Sequence, residues 1–175
     1  MNRRTTLAFT VAFVALLSGC GLRPVYSNGT HGAVAKSIGH VEVAPIEGKA
    51  GWLVRNALDD KLAAISSGEG PAYRLVIKLD DNIQGFGVRA DDTITRERRT
   101  LRARYQLIDG ATGTQVLDDT AGSDVGIDVA SSEYATIAAE DTGLERLSQT
   151  IADQIIARLA LFAIQDGKQA ASASQ

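Results

Sequence analysis

The densest run of chemically capable side chains in this sequence is Arg96-Glu97-Arg98-Arg99-Thr100-Leu101-Arg102-Ala103-Arg104. In a β-strand, successive residues alternate between two faces. Arg96, Arg98, Arg102 and Arg104 then share one side, and Leu101, Ala103, Tyr105 and Leu107 share the other. Arg74 and Lys78 join the arginine side if residues 72–80 pair alongside. Guanidinium groups bind phosphate and carboxylate through paired hydrogen bonds. Such a face suits a phosphorylated glycolipid, an anionic phospholipid or an acidic protein surface. Gathering like charge costs self-repulsion, which gives an otherwise acidic chain a reason to have it. The competing explanation is a solvated face balanced by neighbouring Asp or Glu, with the cations discouraging edge-to-edge aggregation.

A second kind of chemistry is written at Leu17-Ser18-Gly19-Cys20, where Cys20 is the only cysteine. Met1-Asn2-Arg3-Arg4 gives a positive start, and Thr5 to Leu17 is apolar apart from Thr5, Thr6 and Thr10. That run is too short to span a bilayer and has the layout of an export signal. The four residues resemble a lipobox, cut between Gly19 and Cys20, after which the new N-terminal cysteine carries acyl chains. A thiol consumed as a thioether anchor needs no disulfide partner in an oxidising compartment. More than one acyl chain gives a stable membrane anchor, where one alone is marginal. The alternative is an ordinary secretory signal with an incidental cysteine.

Catalytic chemistry is hard to assemble from the rest. His31 falls in a tether-like stretch and His40 in a short strand pattern, and no further ligand accompanies them at a metal-binding spacing. Gly122-Ser123-Asp124-Val125-Gly126 lacks the serine centred between two glycines that a nucleophile elbow requires. Gly85-Phe86-Gly87 lacks the third glycine of a dinucleotide fingerprint. The Asp-Asp pairs at 59–60, 80–81, 91–92 and 118–119 lack a calcium-loop pattern and read as solvated surface. Trp52 reads as a core or staple residue at the start of a helix. No enzyme activity, metal or cofactor is expected from these patterns.

The elements that would hold the arginine run follow from period and punctuation. Ser37 to Ala44 alternates and stops at Pro45, as a first strand does. Val54, Leu58, Leu62 and Ile65 recur at helical spacing across Gly51 to Ile65, and Ser66 to Pro71 ends that helix. Tyr73 to Leu79 is a strand, with Asp80-Asp81-Asn82 as a turn or bulge before a weaker strand at 83–88. Ala90-Asp91-Asp92 supplies a hairpin tip. Thr93 to Ile108 is a long strand, and Asp109-Gly110-Ala111-Thr112-Gly113 a second turn. Residues 114–121 return, and 125–129 extend that edge. A second helix is expected from Ser131 to about Ala163, capped by Ser131 or Ser132 with Glu133 in its first turn. Its apolar stripe is Ile137, Leu144, Leu147, Ile151, Ile155, Leu159 and Phe162.

The expected organisation is a signal at 1–19, a lipidated tether at 20–36, one domain at 37–165 and a disordered tail at 166–175. The domain is of α+β class: a two-layer sandwich, with two helices packed on one face of a mostly antiparallel sheet of about four strands. Arg3 and Arg4 leave with the signal, so the 18 lysines and arginines fall to 16 against 21 carboxylates. That balance gives no reason to expect nucleic-acid binding. Aromatic residues are only 5% of the chain, so the core must rest on Leu, Ile, Val and Ala.

Cys20-Gly21-Leu22-Arg23-Pro24-Val25-Tyr26, together with a long helix opening at Tyr134-Ala135 and closing at Ile155-Ile156-Ala157-Arg158-Leu159, resembles the LptE family of LPS-assembly lipoproteins. The resemblance runs through essentially the whole mature chain. It implies a sheet with two helices on one side. It also implies a non-catalytic plug in the lumen of an LptD-type outer-membrane β-barrel, which helps assemble that barrel and binds lipopolysaccharide. Lipid anchoring at Cys20 on the periplasmic side of the outer membrane is implied too, and Gly21 rather than aspartate after the cysteine agrees with that sorting. No position-by-position assignment of Arg96, Arg98, Arg102, Arg104, Arg74 or Lys78 comes with the resemblance, so these rest on strand parity. An auxiliary lipoprotein of an ABC-type lipid transporter is the alternative.

Overall fold

A computed structural model describes residues 39–65, 72–88 and 94–173. The signal, Cys20, the tether with His31, the loop at 66–71 and the hairpin tip at 90–92 lie outside the described residues. Strand β1 (His40–Val43) is followed by helix α1 (Gly48–Ile65) and the long strands β2 (Ala72–Val88), β3 (Ile94–Asp109) and β4 (Gln115–Asp128). Helix α2 (Glu133–Ala173) completes the chain. The sheet order is β1-β2-β3-β4. β1 runs parallel to β2, and the other two pairings are antiparallel. This is the α+β two-layer arrangement expected from the sequence, with a mostly antiparallel sheet.

Both helices lie on one face and run in the same direction. Lys49 of α1 pairs with Asp141 of α2 at 2.6 Å, and Lys61 pairs with Asp153 at 2.6 Å. Equal steps along both helices require parallel axes. The odd-numbered residues of β2 and β3 face the helices: Tyr73, Leu75, Ile77, Leu101, Ala103, Tyr105 and Leu107 are all buried. Val54, Leu58 and Leu62 of α1 meet them, as do Leu144, Leu147, Ile151, Ile155 and Leu159 of α2. By length and composition Glu133–Gly167 could pass for a membrane span, but half of its apolar window is buried against the sheet and α1. Tyr73 and Phe162 close the lower end of the core edge-to-face, with ring centroids 6.1 Å apart.

The β3–β4 turn follows from its side chains. One carboxylate oxygen of Asp109 accepts the backbone N–H groups of Ala111 and Thr112 at 2.7 and 3.0 Å, and Gly113 has φ +70°, which glycine adopts without steric cost. At the start of α2 the Ser132 carbonyl accepts the amides of Ala135 and Thr136, which puts Ser132 at the cap and Glu133 in the first turn.

Four expectations are corrected. Asp80-Asp81-Asn82 neither turns nor bulges: β2 is continuous, each of the three pairs in register with β3, and Asp81 is held by an arginine. Trp52 is not core but 63% exposed, because the buried stripe of α1 runs through Gly51, Val54 and Leu58. Ile137 leaves the stripe at 49% exposure, because the first turns of α2 extend beyond α1. Residues 166–173, expected to be disordered, continue α2. Ala, Gln and Lys favour helix there, and Gly167 alone costs only about 1 kcal/mol.

Candidate functional site: the open face of the sheet

Strand parity places the predicted residues as expected. The even-numbered side chains of β3 stand on the face away from the helices, and Arg96, Arg98, Arg102 and Arg104 are all exposed. On β2 the register sets Lys78 beside Arg104 and Arg74 beside Ile108, so both belong to the same face. The sheet therefore brings all six predicted cations together on one surface.

Register also brings carboxylates, and they distinguish the arginines. On β4, Asp118, Asp124 and Asp128 stand on the open face. Arg96 pairs with Asp128 at 3.1 Å, Arg98 with Asp124 at 3.8 Å and Arg104 with Asp118 at 2.9 Å. Arg98 also lies over the Phe86 ring, 5.5 Å from its centroid. Arg102 is different: its β4 partner is Gly122, and with Asp80, its partner on β2, it makes no ion pair among the described residues. Any side chain at Gly122 would collide with the Arg102 guanidinium, so the bare glycine gives Arg102 room to lie across β4. Arg74 and Lys78 likewise have no ion pair among the described residues. Lys78, Asp80, Arg102, Arg104 and Thr120 surround a shallow depression of about 540 Å³ over Gly122. Arg96, Arg98 and Arg104 are thus balanced by carboxylates at ion-pair distance, whereas Arg74, Lys78 and Arg102 make no ion pair among the described residues although Glu42 and Asp80 stand opposite Arg74 and Arg102 in the register.

Asp118 is the most tightly held of these acids. The Arg104 guanidinium, followed by the Gln106 amide, depresses its pKa to about 2 from an ordinary 3.8. A depressed acid contributes stability that is full above its unfolded value and lost as pH falls through the folded one. NMR titration of the Asp118 carboxyl should give a midpoint near 2. In Arg104→Gln the midpoint should rise toward 3.8, and an unchanged midpoint would mean that the pair does not form.

The face toward the helices has its own charged cluster, which the parity rule could have revealed because Glu97 and Arg99 are odd-numbered. Arg99 donates to both carboxylate oxygens of Asp81, at 2.9 and 2.6 Å, and to the Glu140 carbonyl of α2 at 3.1 Å. Beside it, burial and then the neighbouring Glu97 carboxylate hold the Glu140 carboxyl above its usual range. Lower down, Arg158 donates to Asp119 at 2.7 Å and ties α2 to β4. These contacts fix the helices and leave the opposite face free. Among the described residues no three His, Cys, Asp or Glu side chains converge as a metal site requires. His40 is exposed at the start of β1, and Ser123 is paired opposite Leu101 within the sheet.

Two parallel helices over one face of a four-stranded sheet, with the other face open and carrying charges of both signs, define a two-layer α+β domain of the kind found in bacterial lipoproteins. A chain described as a lipoprotein from Caulobacter crescentus superposes with a TM-score of 0.60 at 31% identity, covering 77% of this chain and 98% of that one. A minor lipoprotein from Acinetobacter baumannii (TM-score 0.59, 14% identity, 71% and 92% covered) shares the fold. So does the rare lipoprotein B of Shewanella oneidensis (0.55, 11%, 72% and 96%). No curated protein sequence matches significantly. A family model described as LptE, lipopolysaccharide-assembly, matches residues 38–159, and the chain belongs to that family of lipopolysaccharide-assembly lipoproteins.

Proposed function

We propose that this protein occupies the lumen of an LptD-type outer-membrane β-barrel as a non-catalytic plug, helps that barrel assemble, and binds lipopolysaccharide on its way to the outer leaflet. Cys20 is the lipid anchor, on the periplasmic side. The observation that carries the reading is the open sheet face, where Lys78 and Arg102 line a shallow depression without making an ion pair, with Arg74 further along the same face of β2. Phosphate groups of a glycolipid are the anions that guanidinium and ammonium groups hold best at such a surface. The helices take no part in this contact, because their apolar faces are used in the core. The anchor keeps the domain at the membrane and raises its effective concentration at the barrel.

Affinity recovery of the tagged full-length lipoprotein from mild-detergent membranes tests the reading. A large outer-membrane barrel recovered near one to one is the expected result. Recovery of inner-membrane transporter subunits without a barrel would overturn it and favour an auxiliary subunit of an ABC-type lipid transporter.

A further inference from the structure

β4 is an edge strand, and only part of its edge is protected. The ladder to β3 uses the odd-numbered residues, as the bond from the Val129 amide to the Thr95 carbonyl shows, so the even-numbered backbone groups point outward. At Gly122 those groups are covered: the amide donates to Gln154 Oε1 at 3.0 Å, and the carbonyl accepts from Gln154 Nε2 at 3.2 Å. One side-chain amide of α2 thus stands in for a neighbouring strand. Beyond Gly122 the protection stops. No hydrogen bond reaches the outward backbone groups of Asp124, Gly126 or Asp128 among the described residues, and the stretch has neither lysine nor proline to blunt it.

An open groove of about 490 Å³ borders this edge, between β4 and the first turns of α2. Val125 and Ile127 line it from β4, and Ala138, Ala139, Thr142 and Gly143 line it from α2, with Gly143 packed so close that a Cβ there would lie 3.1 Å from Val125. Arg146 closes one end and makes no ion pair among the described residues.

We infer that the Asp124–Asp128 edge of β4 receives an extended segment of the barrel partner as a fifth strand, with an acidic side chain of that segment reaching Arg146. This rests on the barrel reading above. The edge is continuous with the open face, since Asp124 and Asp128 are the residues that hold Arg98 and Arg96. A partner lying on that face therefore reaches the edge without a break. Outward amides and carbonyls at two-residue spacing are matched by an extended backbone and by no lipid headgroup.

Gly126→Pro tests the inference, because proline removes an outward N–H and no ladder hydrogen bond. With the full-length lipoprotein in its own membranes, Gly126→Pro should reduce barrel recovery about tenfold against wild type, while Gly126→Ala leaves it unchanged. A photocrosslinking side chain at Thr142, on the groove wall, should form an adduct with the barrel, which keeps the test decisive if the proline variant is unstable. Normal barrel recovery by a folded Gly126→Pro would overturn the fifth strand and leave the plug reading intact. So would a Thr142 adduct of twice the protein's own mass, because a second copy would then be the occupant. Loss of the barrel even with wild type would overturn both.

Discussion

Replacing Arg102 by Gln should weaken lipopolysaccharide binding about tenfold, whereas Arg96→Gln should weaken it less than about threefold. A tenfold loss corresponds to ~1.4 kcal/mol, within the range of one charge-assisted hydrogen bond. The difference follows from register. Arg96 already has Asp128 at 3.1 Å, and a ligand phosphate must compete with that carboxylate. Arg102 faces Gly122 on β4, makes no ion pair with Asp80 opposite it on β2, and sits with Lys78 and Arg104 at one depression. Binding of the detergent-solubilised lipoprotein to lipopolysaccharide, measured at two salt concentrations, checks this. Equal losses for the two variants would mean that only overall charge matters. Neither substitution should change Tm, because both side chains are exposed and face away from the core.

Ile151→Ala should have the largest effect on stability. Ile151 is fully buried on α2, between the neighbouring core positions Leu147 and Ile155. Truncation removes three carbons from a packed interior and leaves a cavity that α1 and the sheet cannot both close. Such changes cost about 2–5 kcal/mol. In a domain of this size that lowers Tm by roughly 10 °C. Thermal unfolding followed by circular dichroism provides the measurement. A shift of a degree or two would show that α2 is loosely docked at its centre.

The sequence carried most of the fold because period is local. Alternation through Leu101, Ala103, Tyr105 and Leu107 gave both the inward face of β3 and, by parity, the outward arginines. Three- and four-residue spacing gave α1 and the buried stripe of α2. The failures came where neighbours overrule local preference. Asp80-Asp81-Asn82 looks like a turn because these residues favour turns, yet cross-strand pairing and the Arg99 contact to Asp81 keep β2 straight. Trp52 looks like core by composition, but its helical phase turns it outward.

The candidate site was legible in membership but not in its differences. That Asp128, Asp124 and Asp118 meet three of the arginines while Gly122 meets the fourth depends on the β3–β4 register. That register shifts at Leu107/Ile108, and nothing local in the sequence announces the irregularity. Gln154 covering Gly122 is a contact across 32 residues that no pattern in either segment signals.

Crosslinking from two opposite faces decides whether the open sheet is the working surface. A photoreactive side chain placed at Gln84, on the open face of β2, and another at Gln149, on the outer side of α2, would each be introduced into the full-length lipoprotein in cells making lipopolysaccharide. An adduct with lipopolysaccharide from Gln84 and none from Gln149 is the expected result. Adducts from Gln149 alone would contradict it and move the ligand to the helices.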